Sequence, residues 1–310
     1  LGLMNTLHDE NRKSFKDERF VQLMNRYATY NGSSPYRTPG IMSMIPHLEQ
    51  HYGTFFPQGG MISITNAMFQ RAKEMGVVFH FNKKVDEIVV YEDRAMGVRI
   101  EDHTIQSDIV LSNMDVMPTY RRLLPRERAP KRTLKQERSS SALIFYWGIS
   151  CEFPELDLHN IFFASDYKKE FDVLFEGKDV AEDATVYIHI SSKDEKADAP
   201  EGCENWFVMV NVPGNKGQDW DALIPRIRER VIEKLNRLLK CDIATHIEAE
   251  HILDPRGIES RTSSYQGSLY GAASNNRFAA FCVILIFQVV SKIFTSAEAV
   301  CIPVEVYRYV

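Results

Sequence analysis

Cysteine is sparse and unpatterned in this sequence. Its five residues, Cys151, Cys203, Cys241, Cys282 and Cys301, include no C-x-x-C pair, so neither a zinc site nor a disulfide framework is signalled. Scattered thiols of this kind fit a reducing cytoplasm. An excess of positive charge is also missing: the net charge is −5, which argues against a nucleic-acid partner, because phosphate binding needs a basic surface. The longest apolar run, residues 278–290, has 13 residues where a bilayer crossing takes about 20. No secretory leader is signalled, since Leu1-Gly2-Leu3-Met4 carries neither a basic nor an apolar region. Position 1 is not methionine, so the expectation is a start further upstream. No H-E-x-x-H, no G-x-S-x-G and no G-x-G-x-x-G following a strand occurs. Zinc hydrolysis and serine-elbow chemistry lose their signatures, and the pyrophosphate-binding turn of a dinucleotide fold is not encoded here.

What is present is the mixture of a globular protein: 310 residues, 44% hydrophobic and 25% charged. Phe20, Leu23, Met24 and Tyr27 stand at helical spacing before the turn chemistry of Asn31-Gly32-Ser33-Ser34-Pro35. Phe55 to Met61 leads into a helix expected to reach about Met75, with Gly76 as its stop. Strands are expected over 77–81, 85–91 and 96–100, and a strand buried on both faces over 108–113. Further strands are expected over 143–149, 185–191 and 206–212, whose long connections favour a mixed or antiparallel sheet. An amphipathic helix is expected over 222–239, with Ile227, Val231, Leu235 and Leu238 as its stripe and Pro225 near its start.

The stretch Phe56-Pro57-Gln58-Gly59-Gly60-Met61 resembles the Pro-x-Gly-Gly turn of flavin amine oxidases and carotenoid desaturases. The pieces that follow such a turn appear in order: Gly76-Val77, Phe81-Asn82, Lys84-Val85, Glu87-Ile88, then Ser112-Asn113 and Asp115. The blocks 139–149, 159–171, 199–213 and 261–271 are similar to successive blocks of the phytoene-desaturase family, and the likeness runs from about residue 5 to residue 281.

That resemblance implies an α/β flavoprotein fold, here incomplete, interleaved with an α+β substrate domain built on a mixed or antiparallel sheet. The expected division is a helical part over 1–54, part of an FAD-binding domain over 55–120, a substrate domain over 121–281, and a non-native tail over 282–310. FAD is the implied cofactor, with Val85, Gly59 and Gly60 as the implied cofactor-binding positions. Met61, Tyr265, Gly267, Tyr270 and Gly271 are the implied substrate-binding positions, and the implied substrate is a long apolar carotenoid polyene. The tail looks like a frame-shift product. One permissible codon set for it, read one base out of register, encodes NLYFCGGSVHPGGGIP, which resembles the family's closing flavin-binding block; the chain as written is therefore expected to hold FAD poorly.

Desaturation needs little acid–base machinery beyond the flavin. None is obvious among the nine histidines, and no catalytic residue or metal ligand is assigned. His159 and Asp115 are read first as hydrogen-bonding or capping residues, and the aromatic strands first as core, with some rings facing the polyene. The basic stretch from Arg121 to Arg138 is read first as solvated surface and second as a contact for anionic lipid headgroups, which implies a cytoplasmic, peripherally membrane-associated protein. The alternatives kept are a non-catalytic isoprenoid-binding protein on the same scaffold and a carotenoid isomerase or saturase. Oligomeric state stays open.

Overall fold

The computed structural model describes residues 5–177 and 179–276, and the backbone of 299–302. The expected frame-shifted tail lies outside the described residues except for Ala299–Ile302, which pairs in parallel with Ile109–Ser112.

The centre is a five-stranded, wholly antiparallel sheet in the order β6-β7-β8-β5-β9. Its strands are β5 (Ser141–Ile149), β6 (His159–Phe162), β7 (Val186–His189), β8 (Glu204–Val212) and β9 (Ile247–Leu253). In β5 and β8 the side chains alternate strictly, and that alternation assigns the two faces. Leu143, Phe145 and Trp147 of β5 and Val208, Val210 and Val212 of β8 point to one side. There they pack on Ile227, Val231 and Leu235 of the Trp220–Leu239 helix. Each such fully buried side chain contributes about 1.5–3 kcal/mol, and this layer is the principal core.

The helix opens on Asp219, which accepts from Ala222 N at 3.1 Å. It begins two residues before the expected start, so Pro225 falls beyond its first turn. Lys234, on the same helix, is buried and donates to Asp183 Oδ1 at 2.7 Å and to the carbonyls of Phe163 and Ala184 at 2.8 Å.

A smaller meander stands apart, formed by β1 (Glu87–Tyr91), β2 (Arg94–Ile100) and β3 (His103–Gln106). Glu92 and Asp93 join β1 to β2 with φ of 48° and 59°, the left-handed pair of a type I′ turn. Ile88 and Val98 close its core on Leu123.

Several expectations change. Residues 77–81 form no strand and are exposed. A strand needs a ladder partner, and none pairs with this segment among the described residues. The strand β4 (Ile109–Ser112) is half-buried to exposed, not covered on both faces. In the Glu18–Asn25 helix the buried positions are Val21 and Asn25, while Phe20 and Leu23 face outward. The Ile62–Glu74 helix forms where expected, yet it has no buried residue.

Candidate functional site

The second face of the large sheet is built from rings and is only half-covered. Strand alternation brings Tyr146 of β5, Phe207 and Met209 of β8, Tyr187 and His189 of β7, and His251 of β9 to this side. Tyr146 and Phe207 meet edge-to-face at 5.5 Å, and Phe207 lies 6.3 Å from Tyr187. His159 Nδ1 and the Tyr187 hydroxyl share a hydrogen bond of 2.7 Å, and the His159 and His189 rings are 5.0 Å apart. Burial pushes Tyr187 up to about 12, pushes Tyr270 up, and pushes His189 down. Tyr187 and His189 therefore stay neutral near pH 7, and the wall carries no charge at those two positions.

At the N-terminal end of β5 the chain is knotted by Asp115. Its carboxylate accepts from Met117 N at 3.0 Å, from Tyr265 N at 3.1 Å, and from Arg138 Nη2. Both members of the Arg138–Asp115 pair are nearly buried, and the Arg138 guanidinium lies 5.8 Å from the Tyr265 ring centre, with that of Arg121 at 5.0 Å. Arg138 thus acts as a tie within the protein, whereas Arg121, though it rests on the Tyr265 ring, is exposed like much of the rest of the basic stretch.

The segment after Tyr265 is laced to the same strand end. Ser141 Oγ donates to Gly267 O at 2.6 Å, Tyr270 N donates to Ser139 Oγ at 3.0 Å, and Ser139 N donates to Gly271 O at 2.9 Å. Gly267 has φ +63°, and a Cβ there would stand 2.3 Å from Pro255 O, so no other residue fits without displacement. A cavity of about 240 Å³ opens beside the knot, lined in part by Arg138, Ser139, Phe175, Lys216 and Tyr265.

Gly59, Gly60 and Met61 lie elsewhere. Gly59 N donates to Glu195 Oε2 at 3.1 Å, and the Phe56 ring is 6.3 Å from His189. Since β7 runs parallel to β5 in this sheet, that turn sits at the end opposite Ser141. Val85 is half-buried in the small meander core with Ile88, Val98 and Leu123. The structure therefore brings Tyr265, Gly267, Tyr270 and Gly271 together, adds Asp115 and Arg138 to them, and leaves Gly59, Gly60, Met61 and Val85 outside that group. Tyr187 and His189 of the ring-lined face were not singled out from sequence. The alternation of V-Y-I-H in β7 and W-F-V-M-V-N in β8 was the signal available.

The chain is 56% identical over 281 residues to 1-hydroxycarotenoid 3,4-desaturase of Flavobacterium sp., a match covering 91% of this chain and 57% of that protein. It is 33% identical over 275 residues to 4,4'-diapolycopene oxygenase of Methylomonas sp., covering 85% and 54%. The chain belongs to the carotenoid desaturase family. It spans just over half the length of these two carotenoid-family relatives. No family model matches the chain. Among solved structures, an oxidoreductase from Methanosarcina mazei superposes with a TM-score of 0.57 at 13% identity, covering 91% of this chain and 68% of that one. That likeness shows the fold alone.

Proposed function

We propose that this chain provides the polyene-binding sheet and part of the flavin-facing surface of an FAD-dependent oxidoreductase that introduces double bonds into a carotenoid. The observation that carries the reading is the neutral, ring-lined, half-open face of the large sheet. Its rings offer broad apolar contact and exclude water. When bound, FAD would accept hydride from the polyene as the neighbouring carbon loses a proton.

The fit of this chain to that cofactor rests on the turn at Gly59 and Gly60. Both have positive φ, and a Cβ at Gly60 would meet nothing within 4 Å, which leaves room for a flat ring system to approach the backbone. Val85 would hold the adenine end through its backbone, and Met61, Tyr265, Gly267, Tyr270 and Gly271 would flank the polyene. The division expected from sequence remains the proposed one: 1–54 helical, 55–120 flavin-facing, 121–281 substrate-binding. Among the described residues no helix is long and apolar enough to cross a membrane. The exposed Arg126, Arg128, Lys131, Arg132 and Lys135 would meet anionic headgroups as the substrate is drawn from a bilayer.

The test is a chimera in which residues 5–276 replace the matched segment of the flavobacterial relative. Incubation with a hydroxylated carotenoid should shift its absorption to longer wavelength as conjugation grows. A chimera that binds flavin and polyene yet leaves the spectrum unchanged overturns the desaturase reading and favours a non-catalytic isoprenoid-binding role. An isomerase would change the spectrum without net oxidation, and a saturase would shorten the conjugation.

A further inference from the structure

The ring-lined floor changes chemistry along β8. Phe207, Met209 and Asn211 follow one another on the same face, so Asn211 stands about 13 Å beyond Phe207 at the usual rise of a strand. There the rings give way to buried polar groups. Arg26 Nη1 donates to Asn211 Oδ1 at 3.3 Å, and Asn211 Nδ2 donates to Ser140 Oγ at 3.3 Å. Arg26 is 8% exposed and Asn211 7%.

Arg26 is poorly satisfied for a buried cation. A guanidinium carries five N–H donors; among the described residues this one has the long hydrogen bond to Asn211, the Tyr167 hydroxyl beside it, and no ion pair. That hydroxyl is itself buried, and apart from the Arg26 guanidinium no group pairs with it among the described residues. Glu170, the carboxyl whose ionisation feels Arg26, is committed elsewhere: it accepts from Thr185 N at 2.9 Å and from Thr185 Oγ1 at 2.6 Å, and burial pushes it up toward its neutral form. Tyr187 of the ring-lined face and Tyr270 at the strand end both lie near enough for the Arg26 charge to act on their hydroxyls. A buried charge without an anionic partner is costly to the fold. Such a cation at the end of an apolar floor calls for an acceptor.

We propose that Arg26, oriented by Asn211, binds an acceptor oxygen at one end of the polyene, a terminal hydroxyl or carbonyl, and thereby fixes how far the chain slides along the floor. The inference rests on the polyene-binding reading above. An oxygen held there sets which carbon–carbon bond of the chain comes to rest at the reacting position, so Arg26 is a specificity-determining residue and takes no part in the redox step.

The test measures quenching of tryptophan fluorescence by three detergent-dispersed probes: a linear polyene hydrocarbon, the same polyene with a terminal hydroxyl, and the same polyene with a terminal aldehyde. The chain should bind at least one oxygenated probe about tenfold or more tighter than the hydrocarbon, as a hydrogen bond from a charged donor provides. Preference for the hydroxyl or for the aldehyde identifies which oxygen the site takes. Arg26→Gln should reduce the preference to about one, Arg26→Lys should retain part of it, and Asn211→Leu should weaken it. If all three probes bind the wild-type chain equally, the inference is wrong and the polyene reading stands. If none binds, the polyene reading itself falls. The wild-type comparison decides even where Arg26→Gln does not fold.

Discussion

Residues 55–81 are at least as rich in apolar side chains as residues 139–276, and the structure treats the two regions in opposite ways. In the longer region, sheet and helix bury Phe145, Trp147, Val208 and Leu235 almost completely. In the shorter, Phe55, Met61, Ile64, Met68, Val78 and Phe81 are all exposed, Phe55 to 87%. The Ile62–Glu74 helix is held by its own backbone, and its C-terminal end by Gly76 N and Val77 N donating to Lys73 O and Ala72 O at 3.0 Å. The comparison teaches that apolar content marks a helix or strand for burial but does not supply the partner. Five strands and a 20-residue helix cover one another here, while a single helix followed by an unladdered segment cannot.

The sharpest way to break the comparison is to shorten one side chain in each region. Phe145→Ala should cost about 3–5 kcal/mol of unfolding free energy, measured by urea titration, because it removes a ring with no exposed surface from the layer between sheet and helix. Met68→Ala, at 69% exposure, should change stability by no more than about 0.5 kcal/mol. Equal costs would mean that the 62–74 helix is covered in solution. Next in size is Asp115→Asn, which keeps the shape of the knot and removes its charge. Arg138 would be left buried without its ion pair, at about 3–5 kcal/mol. A loss under about 1 kcal/mol would show that the knot does not hold the Tyr265–Gly271 segment in place.

The contrast between the regions also explains what could be read from sequence. The strands β5 and β8 and the Trp220–Leu239 helix were legible because branched and aromatic residues recur there at periods of two and 3.6. Residues 77–81 carry the same local signal and form no strand, since a ladder is a property of two segments. The edge strand β9 was missed: in Ile247-Glu-Ala-Glu-His-Ile-Leu253 polar residues stand on both faces, Glu250 beside Trp147 and His251 beside Tyr146, and mask the alternation. Of the site, Tyr265, Gly267, Tyr270 and Gly271 were reached through family resemblance, and the structure shows them gathered at Ser139–Ser141. Arg26 was illegible. An arginine at the end of a short helix reads as solvated, and its burial comes from contact with a residue 185 positions away.

Two glycines sharpen the comparison at smaller scale. Gly267 and Gly60 share a positive φ, of 63° and 76°. Gly267→Ala meets a carbonyl oxygen at 2.3 Å and should cost about 2 kcal/mol or more, from strain and overpacking together. Gly60→Ala meets open space and should cost only the left-handed penalty, about 1 kcal/mol. Thermal unfolding of the two variants separates these values. Should Gly60→Ala abolish flavin retention in the chimera while barely altering its stability, the glycine serves the ligand and not the fold.

The smallest effects are those of pH, and two carboxyls of the sheet region pull in opposite directions. Burial alone would push Asp183 up, but the hydrogen bonds from Lys234 Nζ and from Ser165 N and Oγ outweigh it and hold the carboxyl at about 2. An unfolded aspartate titrates near 3.9, so this contribution is complete above about pH 4 and is lost as pH falls toward 2. Burial raises Glu170, so its neutral form is the one the fold favours. That contribution is greatest below the unfolded glutamate value of about 4.3 and declines as pH rises through the folded value. Urea midpoints measured from pH 2 to 7 should therefore lose part of their acid limb in Asp183→Asn and part of their fall at higher pH in Glu170→Gln. Asp183 is partly exposed, so its effect will be modest and will shrink with salt. An acid limb unchanged by Asp183→Asn would mean that the Asp183 charge adds nothing to the fold, and that the carbonyls of Phe163 and Ala184 suffice to hold Lys234.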